Sequence, residues 1–172
     1  MTLPGLAYFA MVGQWGKPGI DLPIGSMTAY ATRKTVNDWE VARFVLPKAE
    51  GDKEDAKLTI SLFKNGSGSE EDNIKRQLAA FEAPEGKEKV ESKRSKVSVG
   101  GKESTLLDLR GTLLEKFPPF DPKAKVTKKD NYRLLYVISK GDNGEAYFKL
   151  TGPEKTVEKH EKEFTEFLKN FK

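Results

Sequence analysis

Residues 132–151 read Tyr-Arg-Leu-Leu-Tyr-Val-Ile-Ser-Lys-Gly-Asp-Asn-Gly-Glu-Ala-Tyr-Phe-Lys-Leu-Thr. Two runs rich in aromatic and aliphatic side chains, Tyr132–Ser139 and Glu145–Thr151, stand on either side of Lys140–Gly144, a turn-forming Lys-Gly-Asp-Asn-Gly. The stretch predicts a β-hairpin, and with it an antiparallel sheet. Immediately downstream, Gly152-Pro153 opens a helix with proline at its first position, where the missing N–H leaves no bond unmade. Val157, Phe164, Phe167, Leu168 and Phe171 share one face of that helix. Burying the last four is worth about 1.5–3 kcal/mol each, so the helix is expected to dock on the sheet.

Upstream, Val97 and Val99, the pair Gly100-Gly101, and Ser104–Leu114 read as another hairpin, the glycines supplying the positive φ of a tight turn. A proline-bearing loop, Phe117-Pro118-Pro119-Phe120-Asp121-Pro122, then leads into a lysine-rich connection. Earlier still, Ser69 has the look of an N-cap, with Glu70, Glu71 and Asp72 in the first turn and Ile74, Leu78 and Phe81 along one face. This predicts a helix over 70–82, ended by Ala83-Pro84. Leu58, Ile60 and Leu62 alternate within a strand, Ala56–Phe63. Trp39, Val41, Phe44 and Leu46 mark a strand with a change of phase, stopped by Pro47. The order is α+β: an antiparallel sheet of about six strands flanked by helices, in a single domain over residues 38–172. Residues 1–37, rich in Gly and Pro, are read as a segment that packs on this domain and holds one or two short strands at most.

Composition narrows the chemistry. The chain has 172 residues, 37% of them hydrophobic, with 30 Lys plus Arg against 26 Asp plus Glu. Its lack of cysteine removes disulfides, thiolate metal sites and cysteine nucleophiles, and a lone histidine removes most imidazole chemistry. Residues 1–12 lack the basic start of a secretory signal, and no apolar run is long enough to cross a bilayer. The charge is uneven: six cations face two acids over residues 87–102, and six face three over 115–133. These stretches form one positive face or ordinary solvated loops.

Several motifs carry a resemblance. Phe44-Val45-Leu46-Pro47-Lys48-Ala49-Glu50-Gly51-Asp52, Asp55-Ala56 and Glu71-Asp72-Asn73-Ile74-Lys75-Arg76 are similar to a group of uncharacterised bacterial proteins found largely in planctomycetes. So are Val99-Gly100-Gly101, Leu107-Asp108-Leu109-Arg110-Gly111-Thr112, Pro118-Pro119-Phe120-Asp121-Pro122-Lys123-Ala124 and Lys149-Leu150-Thr151-Gly152-Pro153. The likeness covers about residues 40–172. It implies an exported, periplasmic or lipoprotein-like protein whose signal is absent from this chain. The order of elements is in turn similar to the PsbP-like fold, an α/β/α sandwich.

Each candidate site has a functional and a structural reading. His160 lies on the flank of the last helix without a partner motif, and is read as a packing or surface histidine. Asp52, Glu54 and Asp55 offer carboxylates to a hard cation but lack EF-hand spacing, so a solvated turn is expected and no metal or cofactor site is assigned. Asp108 alternates with Leu107 and Leu109 and is expected to pair with Arg110. With Asp121, these two residues are the set a carboxylate-based hydrolase would use, which is the alternative to a binding role. The glycines of 66–68 precede a helix whose acidic first turn would repel phosphate, so they are read as part of its cap. The sequence argues against nucleic acid as the partner, because residues 87–102 contain no aromatic side chain for stacking. The expected function is non-enzymatic binding of a protein or small polar ligand. Its surface would be Phe117 and Phe120 on a proline-stiffened loop, with Lys123 and Lys125 beside them. An edge-plugging role for the two phenylalanines stays open.

Overall fold

The computed structural model describes residues 30–31, 40–119, 121–142 and 144–171, with side chains from Arg43 onward. The expectation for residues 1–37 therefore lies, Tyr30–Ala31 apart, outside the described residues. In chain order the elements are β1 (Tyr30–Ala31), β2 (Glu40–Leu46), β3 (Ala56–Phe63), α1 (Glu70–Leu78), β4 (Phe81–Glu82), β5 (Glu91–Val99), β6 (Lys102–Phe117), β7 (Lys125–Gly141), β8 (Gly144–Pro153) and α2 (Glu154–Lys169). All strand pairs are antiparallel, in the order β1-β2-β3-β8-β7-β6-β4, with β5 also paired to β6. The fold is α+β, as expected, and its sheet has eight strands where about six were expected. The two extra strands, β1 and β4, are two residues long.

Strand periodicity divides the core into two layers. Leu135 and Val137 of β7 join Leu58, Ile60, Phe148 and Leu150 against Val157, Phe164, Phe167 and Leu168 of α2. Leu134, Tyr136 and Ile138 face the other way and join Leu107, Leu109, Tyr147 and Ile74 of α1. The two helices thus pack on opposite faces. Phe167 meets Phe44 edge-on at 6.0 Å, and Phe171 meets Phe148 at 4.9 Å, so α2 docks as its apolar stripe predicts.

Local chemistry accounts for the boundaries. Ser69 caps α1, its Oγ accepting from the Asp72 N–H at 3.1 Å. The helix stops at Leu78 rather than at residue 82, because the chain turns to pair Phe81 with Leu113 while the Leu114 N–H donates to the Ala80 carbonyl at 2.8 Å. Pairing with β6 leaves Phe81 buried, at 6% exposure. The β5–β6 hairpin turns at Gly100 and Gly101, both with positive φ (56° and 82°). Its first strand begins at Glu91, so most of the basic run over 87–102 is an edge strand and not a loop. Charged side chains on an exposed edge discourage pairing with another chain.

The change of phase in β2 is a register irregularity between Glu40 and Ala42. Pro153 closes β8 and is the N-cap of α2, not its first helical residue. Its side chain offers no acceptor, and Asp52 from the β2–β3 turn takes over, accepting from the Thr156 N–H at 3.0 Å and the Thr156 hydroxyl at 2.6 Å.

Candidate functional site

The β6–β7 hairpin outruns the sheet. Residues 132–141 of β7 pair with β8, and residues 102–110 of β6 pair with β5. Beyond Leu113, β6 has β7 alone as a strand neighbour among the described residues, and the pairing runs on through Leu114↔Lys128, Lys116↔Val126 and Phe117↔Lys125. The end of the hairpin is therefore a two-stranded arm.

A bulge sets where the arm departs. Register passes from Gly111↔Tyr132 to Leu113↔Lys129, leaving one extra residue on β7. Asn131 takes φ 55° there, a conformation its short polar side chain tolerates, and the Thr112 hydroxyl donates to Asp130 Oδ1 at 2.8 Å. The base of the arm is pinned. Lys129 Nζ bonds Glu54 at 2.8 Å and Glu115 at 3.1 Å, and lies 5.6 Å from the centroid of the Tyr132 ring. Burial works against the Lys129 charge, but the two carboxylates more than offset it and raise its pKa. Lys129, and then the Tyr132 hydroxyl donating at 2.6 Å, hold Glu54 below the usual carboxylate range. Lys128 pairs with Glu82 at 2.5 Å.

The far end has no such anchors among the described residues. Phe117 is 76% exposed and Val126 45%, the two large apolar side chains that stand out in solvent among the described residues. Lys116, Lys123 and Lys125 are exposed and have no acidic partner among the described residues. Asp121 shapes the connecting turn, accepting from the Lys123 N–H at 2.8 Å, while its carbonyl accepts from the Ala124 N–H at 3.0 Å. Of the residues expected to form a contact surface, Phe117, Lys123 and Lys125 come together here, and Phe120 lies outside the described residues. Phe117 does not plug the core. Val126 escaped the sequence reading, because one valine among lysines gives no signal until its strand register is known.

The hydrolase set is not assembled. Asp108 sits opposite Leu135 in the middle of the sheet, whereas Asp121 lies beyond Phe117, roughly 30 Å along the strand at ~3.3 Å per residue. The main partner of Asp108 is also not Arg110. Arg133 on the neighbouring strand donates to both Asp108 oxygens (2.9 and 2.8 Å) and to Glu161 of α2 at 2.7 Å. Arg110 stands 3.9 Å from Asp108 and bonds Glu154 at 2.8 Å instead. Burial opposes the Arg133 charge, yet the two carboxylates raise its pKa, so the group is a fixed cation joining sheet to helix.

The turn carboxylates are engaged rather than merely solvated. Asp52 caps α2, Glu54 holds the arm, and Asp55 accepts from the Lys48 N–H at 2.9 Å. No group of three or more His, Cys, Asp or Glu that could hold a metal ion occurs among the described residues. His160 is 3% exposed; its Nε2 donates to the Pro47 carbonyl at 2.8 Å and its Nδ1 lies 3.5 Å from Glu163. It packs, as expected. Lys149, also unremarked in the sequence, is half-buried on the α1 face opposite Tyr136 and Thr59, and burial lowers its pKa.

No family model and no curated protein matches the chain. Among solved structures, the chain is similar to a protein of unknown function from Pseudomonas aeruginosa, PA94, at 16% identity and a TM-score of 0.49, covering 83% of this chain and 94% of that one. No helix among the described residues is long and apolar enough to cross a membrane.

Proposed function

We propose that the protein is a non-enzymatic binding or accessory domain whose contact surface is the end of the β6–β7 arm, centred on Phe117, Val126, Lys123 and Lys125. The single observation that carries this reading is the exposure of Phe117, at 76%, next to the exposed Val126, in a domain whose other large apolar groups are covered among the described residues. Apolar side chains held in solvent near the end of a projecting two-stranded element are available for contact. The ionic groups elsewhere support the same reading from the other side, because Arg133 holds Asp108 and Glu161 while Lys129 holds Glu54, so these carboxylates are committed to ion pairs. We further propose kinship with the exported bacterial group that the motifs of residues 40–172 resemble, and a PsbP-like layering, which helices on opposite sheet faces favour.

A photo-crosslinking residue placed at Val126 in cells of the native host tests the contact surface. The expected result is a discrete adduct, to protein or lipid, that disappears when Phe117→Ala is added. The absence of any adduct dependent on Phe117 would overturn the proposal.

A further inference from the structure

Which partner fits the arm follows from the way its apolar and basic side chains are distributed. Directly paired residues share a face of a two-stranded ribbon. Phe117 and Lys125 are one such pair, and Lys116 and Val126, one step on, are another on the opposite face. Each face of the tip therefore presents one apolar side chain with one lysine beside it, and all four are exposed. Lys123 adds a further cation in the turn. A partner protein laid against one face would leave the other phenylalanine or valine in water. It would also meet a small patch, whereas a stable protein interface takes about 800 Å² from each side. An end-on approach to a soft boundary uses both faces at once. Apolar side chains then enter the acyl–headgroup boundary while lysine stems run alongside and their ammonium groups stay among anionic headgroups.

From this the geometry points to an anionic lipid bilayer surface as the occupant, with the arm entering end-on through Phe117 and Val126 and held by Lys116, Lys123 and Lys125. This rests on the arm being the contact surface and names what it contacts. The anchoring base agrees with that geometry. Within the arm, Lys128 and Lys129, nearer the sheet, are neutralised by Glu82, Glu54 and Glu115, so its lysines without an acidic partner among the described residues stand at its end, three against the one carboxylate of Asp121 in the turn. Each lysine near an anionic surface contributes about fivefold in partitioning, and salt screens that contribution.

Sedimentation of the full chain with phosphatidylcholine vesicles, made with and without phosphatidylserine, provides the test. The expected result is retention on the phosphatidylserine vesicles that falls with added salt, with little on phosphatidylcholine alone. Phe117→Ala with Val126→Ser should reduce that retention about tenfold or more, and Lys116→Glu with Lys125→Glu should abolish it, both variants melting like the parent chain. Absence of retention on phosphatidylserine vesicles, or retention unchanged in either variant, would overturn the membrane assignment. If vesicles fail while a Phe117-dependent protein adduct forms at Val126, the partner is a protein and the contact site stands. If neither appears, both readings fall.

Discussion

The two ends of the β6–β7 hairpin are built from the same strands but obey different rules. Toward the sheet, residues 132–139 are buried without interruption, and the one cation among them, Arg133, is held by Asp108 and Glu161. Toward the tip, residues 115–117 and 125–128 are all exposed, and Lys116 and Lys125, with Lys123 in the connecting turn, have no acidic partner among the described residues. The difference lies in the neighbours. Where β5, β8 and α2 flank the hairpin, a buried charge such as Arg133 is held by partners or bears a large desolvation cost. Where no element among the described residues flanks it, side chains are free of that demand and are available for contact.

The comparison is broken most severely by removing the cover of the sheet end. A chain truncated after Thr165 loses Phe167, Leu168 and Phe171, and should fail to give a cooperative thermal transition by circular dichroism. Next in size, Arg133→Ala leaves Asp108 and Glu161 without their shared cation and should cost about 3–5 kcal/mol in urea unfolding. Arg133→Met, which fills the space but likewise leaves the acids unpaired, should recover little of that loss.

A smaller effect comes from the pinned base of the arm, between the two ends. Glu54 is held below its ordinary value of 4.5, so its contribution to stability is complete above that pH and fades as pH falls through the depressed value. The melting temperature of Glu54→Gln should therefore lie below that of the parent at neutral pH and converge on it in acid. Lys149 carries the opposite sign. Burial lowers its pKa, so the protonated form is a penalty on the fold at neutral pH that disappears as pH rises toward the ordinary lysine value. Lys149→Met is expected to raise the melting temperature modestly at pH 7.

How much of this the sequence discloses depends on whether the decisive interaction is local. The Tyr132–Thr151 hairpin, the Ser69 cap and the apolar stripe of α2 are each written in a short stretch of residues, and they stand as expected. Interactions across strands were not legible. Asp108 is two residues from Arg110, but Arg133 lies opposite Arg110 in the register and reaches Asp108 diagonally, which no linear spacing reveals. Helix α1 ends early because β6 offers Phe81 a buried place, again a non-local effect. The arm was the hardest to see. Residues 125–129 read as a lysine-rich connection, with Lys125 in the expected contact surface, and only register with residues 113–117 turns them into a strand with two faces. Phe117, exposed at the end of the arm, was among the residues singled out, while Val126, its counterpart on the other face, was not.

The central claim, that the tip serves contact and not the core, is tested most directly by the thermal melt of Phe117→Ala. An exposed side chain at the end of a two-stranded arm should change stability by about 0.5 kcal/mol or less, leaving the melting curve superimposable on that of the parent. A loss of about 3 kcal/mol or more, the cost of emptying a packed phenylalanine site, would contradict it.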